Sequence, residues 1–167
     1  MKLRLKTLII FLLIAFKVFA QTPALILPDF TFYKSDNTLF TDKNIEPNKM
    51  LFFFFFDVDC EHCQHAMMNL NQHYTDYKKA AIYLISLAVK EKVNHFMNEY
   101  ASNLKNQKNV TILQDTKNQF IEKFKPRRYP AMFLYSAEKK LVDYEDNEDS
   151  MFRFINQLNK SSNKSTK

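Results

Sequence analysis

Residues 51–63, LFFFFFDVDCEHC, join a run of six apolar residues to a pair of cysteines. The run does not alternate between apolar and polar positions, which indicates a strand that is covered on both faces. Helical spacing of apolar residues begins at Cys60 and continues to about Tyr77. The only two cysteines of the chain, Cys60 and Cys63, are therefore predicted where a buried strand meets the start of a helix. A Cys-x-x-Cys motif in that position is typical of a reactive dithiol.

The two sulfurs are expected to differ in reactivity. The Cys60 thiol faces backbone N–H groups that have no partner within the helix, and the positive end of the helix dipole stabilises its thiolate. Cys63 follows one turn later on the same face, close enough to attack a disulfide formed at Cys60. We therefore predict an enzyme, a protein thiol–disulfide oxidoreductase, in which Cys60 attacks and Cys63 resolves. This chemistry needs no bound cofactor.

A structural role for the cysteine pair fits the sequence less well. A disulfide across so short a loop constrains the unfolded chain little, and it therefore adds little stability. A zinc site would need two ligands besides the cysteines, and no second cysteine pair follows His62 and His65. Haem attachment would need a histidine at position 64, which is Gln64. No metal site is predicted.

Three other functions remain alternatives to disulfide exchange. One is a non-catalytic binding module of the same fold with an inert cysteine pair. Another is a copper carrier that binds Cu(I) through Cys60, Cys63 and a histidine. A peroxidase is the weakest of the three, because the Thr-x-x-Cys context of that class is absent from the sequence.

The first 20 residues have the parts of an export signal. Basic residues precede the apolar residues 8–16, and the segment ends at Ala20 with small residues at the cleavage-determining positions. The apolar stretch is shorter than the roughly 20 residues that span a bilayer, so we predict cleavage near Ala20, with an uncleaved anchor as the alternative. Disulfides persist outside the cytosol. The predicted partners are thus the thiols and disulfides of proteins in the periplasm or cell envelope.

Charge and length indicate one domain with no nucleic-acid role. Four of the 24 basic residues lie in the leader, which leaves 20 basic against 18 acidic residues and gives no support to nucleic-acid binding. Residues 21–159 are predicted to form the domain, and residues 160–167 a disordered basic tail. Because the chain has no glycine, turn positions with positive φ are expected at Asn and Asp, as in residues 35–37 and 146–147.

The remaining apolar segments predict strands that alternate with helices, followed by an antiparallel pair and a closing helix. This order describes an α/β fold with a mixed sheet and helices on both faces. Strands are predicted at residues 30–33, 39–40, 51–56, 81–89, 110–113, 131–135 and 141–144, and helices at about 60–77, 93–104, 120–124 and 151–158.

This order of elements resembles the thioredoxin fold, and most closely that of the exported thioredoxin-like proteins of the TlpA and ResA kind. Those proteins carry an N-terminal β-hairpin and an inserted strand–helix unit, which residues 28–40 and 81–104 match. The resemblance implies a three-layer fold with a central mixed β-sheet between helices. It also implies that reducing equivalents come from a membrane thiol carrier, if the protein is a reductant.

The same resemblance assigns a role to Tyr129 and Pro130. In the thioredoxin superfamily a cis-proline lies beside the dithiol at the entry of the corresponding strand, here residues 131–135. The residue before it offers backbone hydrogen bonds to a substrate strand. The resemblance therefore implies a cis Tyr129–Pro130 bond and a substrate-binding role for both residues. Two positions depart from thioredoxin. Asp59 replaces the tryptophan that usually precedes the first cysteine, and Phe54 replaces the buried acid that thioredoxin has six residues before that cysteine.

Charged residues beside the cysteines are predicted to tune the redox potential. A cationic His62 would stabilise the Cys60 thiolate and make the protein a better oxidant, as the histidine before the second cysteine does in DsbA and protein disulfide isomerase. Glu61, Asp59 and Asp57 oppose this effect by placing negative charge near the sulfur. The sequence therefore does not decide the direction of electron flow.

A basic pair, Arg127 and Arg128, precedes the predicted cis-proline. In a thioredoxin-like fold these side chains would lie near the sulfurs. Solvated arginines are the simpler interpretation, but the pair is also a candidate for holding an acidic segment of a partner protein.

Overall fold

The computed structural model describes residues 22–164. The predicted export signal, residues 1–20, lies outside this range. In the part of the chain that is described, no helix has both the length and the apolar character needed to cross a membrane.

Seven strands of the described residues form one mixed sheet. They are β1 Thr31–Lys34, β2 Leu39–Thr41, β3 Leu51–Phe55, β4 Ala81–Ser86, β5 Val110–Gln114, β6 Ala131–Tyr135 and β7 Leu141–Glu145. Their order in the sheet is β2-β1-β5-β4-β3-β6-β7. β3 lies inside the sheet, parallel to β4 and antiparallel to β6. The N-terminal hairpin of β1 and β2 joins the sheet through antiparallel pairing of β1 with β5.

Helices cover both faces of this sheet, as the sequence predicted. Within residues 22–164 the helices are α1 Glu61–Gln72, α2 Tyr74–Tyr77, α3 Lys90–Tyr100, α4 Gln119–Phe124 and α5 Met151–Lys164. One face carries α1, α2, α3 and α5, and the other carries α4 together with the segment that leads into β1. A short 3-10 turn at Ser102–Leu104 follows α3, and another at Glu148–Ser150 precedes α5.

The phenylalanine run of β3 supplies the core of both layers. Successive strand residues point to opposite faces, so Phe52 and Phe54 pack under α1 and α5 while Phe53 and Phe55 pack against α4. Every residue of the strand is buried. A run without alternation is therefore what a strand between two helical layers requires.

The strand directions bring several chain segments to one edge of the sheet. Cys60 follows the carboxyl end of β3, and parallel β4 and β5 end at the same edge. Because β6 runs antiparallel to β3, with Ala131 opposite Phe55, Pro130 also lies at this edge. β7 runs antiparallel to β6 and ends at this same edge, since its last residue, Glu145, pairs with Met132 near the start of β6. We call this the sulfur edge of the sheet.

Some element boundaries differ from the predicted ones. The first predicted helix divides at His73 into α1 and α2. β4 ends at Ser86, whose side-chain hydroxyl accepts a hydrogen bond from the N–H of Ala88 and turns the chain. α5 continues to Lys164, past the start of the predicted disordered tail, because the Ser, Asn and Lys residues there contain no helix breaker such as Pro or Gly.

The positive-φ positions were predicted only in part. Asn37 has φ of 64°, as expected, but Asn147 is extended with φ of −118°. Two lysines also adopt the left-handed conformation, Lys125 after α4 and Lys139 in the turn between β6 and β7. In a chain without glycine, a helix end and a hairpin turn that need this conformation have to use residues with a Cβ atom.

Candidate active site

Cys60 is the N-cap of α1, as the spacing predicted. Its backbone is extended, with φ of −97° and ψ of 116°, and its sulfur lies 3.4 Å from the backbone nitrogen of Cys63, whose N–H it accepts. Its carbonyl oxygen accepts hydrogen bonds from the N–H groups of Cys63 and Gln64. The sulfur of Cys60 therefore lies at the helix end where unpaired N–H groups and the dipole favour an anion.

The two cysteines differ in exposure. Both are free thiols, Cys60 partly exposed and Cys63 fully buried. Burial raises the pKa of the Cys63 thiol, a hydrogen bond with Cys60 raises it further, and a hydrogen bond with the backbone of Asp57 acts in the opposite direction. Cys63 is thus a buried, neutral thiol, whereas the sulfur of Cys60 is accessible to a partner.

Tyr129 and Pro130 lie at the same edge of the sheet. Their peptide bond is cis, as the resemblance implied. Pro130 is buried and Tyr129 is half-buried. The ring of Tyr129 packs on Phe55, with 4.7 Å between the ring centroids.

The pKa of Tyr129 depends on its burial and on charge beside the cysteine motif. Burial raises the pKa of Tyr129 to about 12, and the negative charge of Asp57 contributes to the rise. The phenol therefore remains protonated at neutral pH.

His62 lies at the surface and is bound to a carboxylate that the sequence analysis did not place at the site. Its Nδ1 lies 2.6 Å from one carboxylate oxygen of Glu148, and the Nδ1 of His65 lies 3.4 Å from the other. Glu148 is separated from His62 by 86 residues, so local sequence patterns gave no sign of this contact. Its carboxylate joins the first turns of α1 to the 3-10 turn before α5.

Of the three acidic residues that were predicted to act on the potential, Asp59 and Glu61 are exposed and Asp57 is half-buried. Asp59 forms an ion pair with Lys92 of α3, with 3.4 Å between the charged atoms. The N–H of Asp59 donates to the carboxylate of Asp57 at 2.8 Å, which closes a turn just before the helix. Glu61 lies in the first turn of α1. Water and Lys92 weaken the effect of these charges on the sulfur.

Arg127 and Arg128 share one carboxylate. The Nε of Arg127 lies 2.8 Å from one oxygen of Asp146, and the Nη2 of Arg128 lies 3.2 Å from the other. The guanidinium of Arg127 also lies over the ring of Tyr144, 4.8 Å from its centroid. Asp146 is only 10% exposed, whereas Arg127 and Arg128 are 51% and 66% exposed.

No three His, Cys, Asp or Glu side chains between residues 22 and 164 are arranged to hold a metal ion.

Solved structures share the fold of this chain, which is thioredoxin-like. A secreted disulfide oxidoreductase of Mycobacterium tuberculosis, homologous to E. coli DsbE, superposes with a TM-score of 0.62 and 18% identity, over 77% of this chain and 96% of that one. The thioredoxin domain of a thiol–disulfide oxidoreductase from Bacteroides vulgatus gives 0.66 and 18%, over 82% and 97%. The peroxidoxin BcpB of M. tuberculosis gives 0.67 and 12%, over 84% and 97%.

The sequence itself places the chain in a family. Residues 24–144 match the AhpC/TSA family, and the protein belongs to it. No curated protein matches the sequence significantly. Family and fold together are those of redox proteins that work through a thiol.

Proposed function

We propose that the protein is an exported thiol–disulfide oxidoreductase that exchanges disulfides with proteins of the cell envelope through Cys60 and Cys63. The observation that carries this proposal is the unequal burial of the two sulfurs. A partly exposed sulfur at a helix N-terminus backed by a buried thiol three residues later is the arrangement that two-step exchange needs. Membership of the AhpC/TSA family supports thiol chemistry in general.

The exchange takes place in two steps. The Cys60 thiolate attacks one sulfur of a substrate disulfide, the substrate S–S bond breaks, and one substrate thiolate leaves. Cys63 then loses its proton and attacks the Cys60 sulfur, so that a Cys60–Cys63 disulfide forms and the second substrate thiolate leaves. The substrate gains two electrons and the protein loses two. The same steps in reverse oxidise a substrate dithiol.

Tyr129 and Pro130 are proposed to bind the substrate segment beside the sulfurs. Their position at the sulfur edge supports this role. We propose that the redox potential is tuned by His62, Glu61 and Asp59. Glu148, which contacts His62, adds a fourth charged residue to this set. Reducing equivalents would come from a membrane thiol carrier if the protein acts as a reductant.

The direction of electron flow follows from one measurement, the equilibrium of the cysteine pair with glutathione. A potential near that of thioredoxin, about −270 mV, marks a reductant. A potential near that of DsbA, about −120 mV, marks an oxidant.

Trapping of mixed disulfides tests the assigned roles. A Cys63→Ser variant cannot complete the second step, so it should accumulate covalent complexes with envelope proteins. A Cys60→Ser variant retains only the buried thiol and should trap almost none. Non-reducing gels of cells that express each variant show the difference. Equal trapping by the two variants would contradict the proposal.

A further inference from the structure

We propose that Arg127 and Arg128 form a docking surface for acidic side chains that flank the reactive cysteine of the substrate. The inference rests on the proposed function and adds a substrate class to it. We call the two guanidinium groups the arginine pair.

The arginine pair is held in place before any partner binds. Both oxygens of Asp146 are used, one by each arginine, and the backbone oxygen of Asp146 accepts a third hydrogen bond, from Nε of Arg128 at 3.1 Å. The ring face of Tyr144 supports the Arg127 guanidinium. Its hydroxyl accepts the backbone N–H of Arg127 at 3.0 Å and donates to the Asp146 carboxylate at 3.2 Å. Side chains fixed in this way lose little conformational entropy when they bind a ligand.

The arginine pair keeps a net positive charge. One carboxylate neutralises only one of the two guanidinium groups, and Asp146 is itself nearly buried beneath them. Each guanidinium carries five N–H donors in a planar fork that matches a carboxylate, and Asp146 offers two oxygens for both. More than half of each arginine side chain remains exposed, so a second carboxylate can reach the pair.

The position of the arginine pair gives it access to the substrate. Arg128 directly precedes Tyr129 and Pro130, and Asp146 follows β7, so the pair lies at the sulfur edge of the sheet. A substrate peptide bound along the residues before Pro130 would therefore pass the arginine pair. The contact would fall within a few residues of the peptide's own reactive cysteine, since an extended chain rises about 3.3 Å per residue.

Nearby acidic groups already have other partners. Asp59 is paired with Lys92, and Glu148 is bound to His62 and His65. Attraction at the arginine pair would orient a peptide whose acidic residues face the pair.

The test compares two peptides that each hold one disulfide and differ only in having Glu or Gln beside the cysteines. Reduced protein is mixed with each peptide and the rate of disulfide reduction is followed. We expect the Glu peptide to react about two- to fivefold faster at low ionic strength, the range of one exposed ion pair. This advantage should disappear in about 1 M salt, where the Debye length is near 3 Å.

Variants separate the charge of the pair from its structural role. Arg128→Gln leaves the ion pair of Arg127 with Asp146 in place and should bring the ratio of the two rates close to one. Arg128→Lys retains the charge and should keep most of the preference. Lys105→Gln is the control, because Lys105 precedes β5 and lies at the opposite edge of the sheet, and both rates should be unchanged.

The outcomes distinguish this inference from the proposed function. Equal rates for both peptides with the wild-type protein, or a preference that survives in Arg128→Gln, would overturn the docking surface alone. No reaction with either peptide, in either redox direction, would overturn the proposed function and the docking surface with it.

Discussion

In the proposed exchange Cys63 has to lose a proton, and Phe54 stands where the resemblance to thioredoxin places a buried acid. Asp59 and Glu61 are exposed, whereas Asp57, three residues before Cys60, is half-buried after β3. Its charge acts on both the Cys63 thiol and the Tyr129 phenol, and raises the pKa of each. Asp57 is therefore the candidate acceptor for the proton that Cys63 loses.

Asp57→Asn tests this role. The amide retains the oxygen that accepts the N–H of Asp59, so the turn is preserved. If Asp57 accepts the proton, the second step should slow on the order of 10²-fold, and the mixed disulfide with Cys60 should accumulate in rapid-quench experiments. A faster second step would show instead that the carboxylate acts only by raising the pKa of Cys63.

The aromatic stack between α4 and β3 connects a six-residue helix to the active site. Phe120 of α4 stacks on Phe55 with 4.4 Å between centroids, and Phe55 in turn supports Tyr129. Phe124 stacks on Phe120 at 4.0 Å. A helix this short has little intrinsic stability, so these contacts hold it on the sheet.

Phe120→Ala should therefore be strongly destabilising. Phe120 is fully buried, and its truncation is expected to cost about 3–5 kcal/mol in the free energy of unfolding. Ile121→Ala, at the neighbouring position that is 40% exposed, is the matched control and should cost less than about 1 kcal/mol. Urea unfolding measures both. Similar losses for the two variants would contradict the importance of the stack.

The contact of Glu148 with α1 links the 3-10 turn before α5 to the active-site helix. Glu148→Gln should favour the reduced dithiol, because it removes a negative charge from beside His62, two residues after the Cys60 thiolate. The equilibrium constant with glutathione should shift severalfold. Glu138→Gln, in the turn at the opposite edge of the sheet, is the control and should have no effect. A shift toward the disulfide in Glu148→Gln would contradict this electrostatic account.

Elements and residues differed in how well the sequence predicted them. The cysteine pair and β3 were predicted because each has a local signal, either a spacing or an unbroken apolar run, and Pro130 was implied by the resemblance to the thioredoxin superfamily. Glu148 and Asp146 had none. They reach the site because β7 is antiparallel to β6 and ends at the sulfur edge, which is a property of the whole sheet. Side chains that follow strands distant in sequence can be assigned to the site only when the order of the strands in the sheet is known.

At the scale of the whole molecule, tyrosines with raised pKa values should make the free energy of unfolding fall with rising pH in the alkaline range. Burial raises the pKa of Tyr83 and of Tyr129 to about 12, and also raises the pKa of Tyr77 and Tyr135. The folded protein therefore holds protons that the unfolded chain releases near pH 10. Their contribution to stability is fully present below pH 10 and is lost as the pH rises through about 12.

The oxidised protein isolates this effect, because its cysteines form a disulfide and no thiol titrates. Its urea midpoint should be constant from pH 8 to about 9.5 and then fall steadily toward pH 12. Tyr129→Phe removes one of the titrating groups and should make the fall less steep, while the ring contact with Phe55 is retained. Because unfolding must expose these phenols for them to ionise, the midpoint is a measure of the whole fold. A midpoint that stays constant to pH 12 would show that the phenols ionise in the folded state and that burial does not hold their protons.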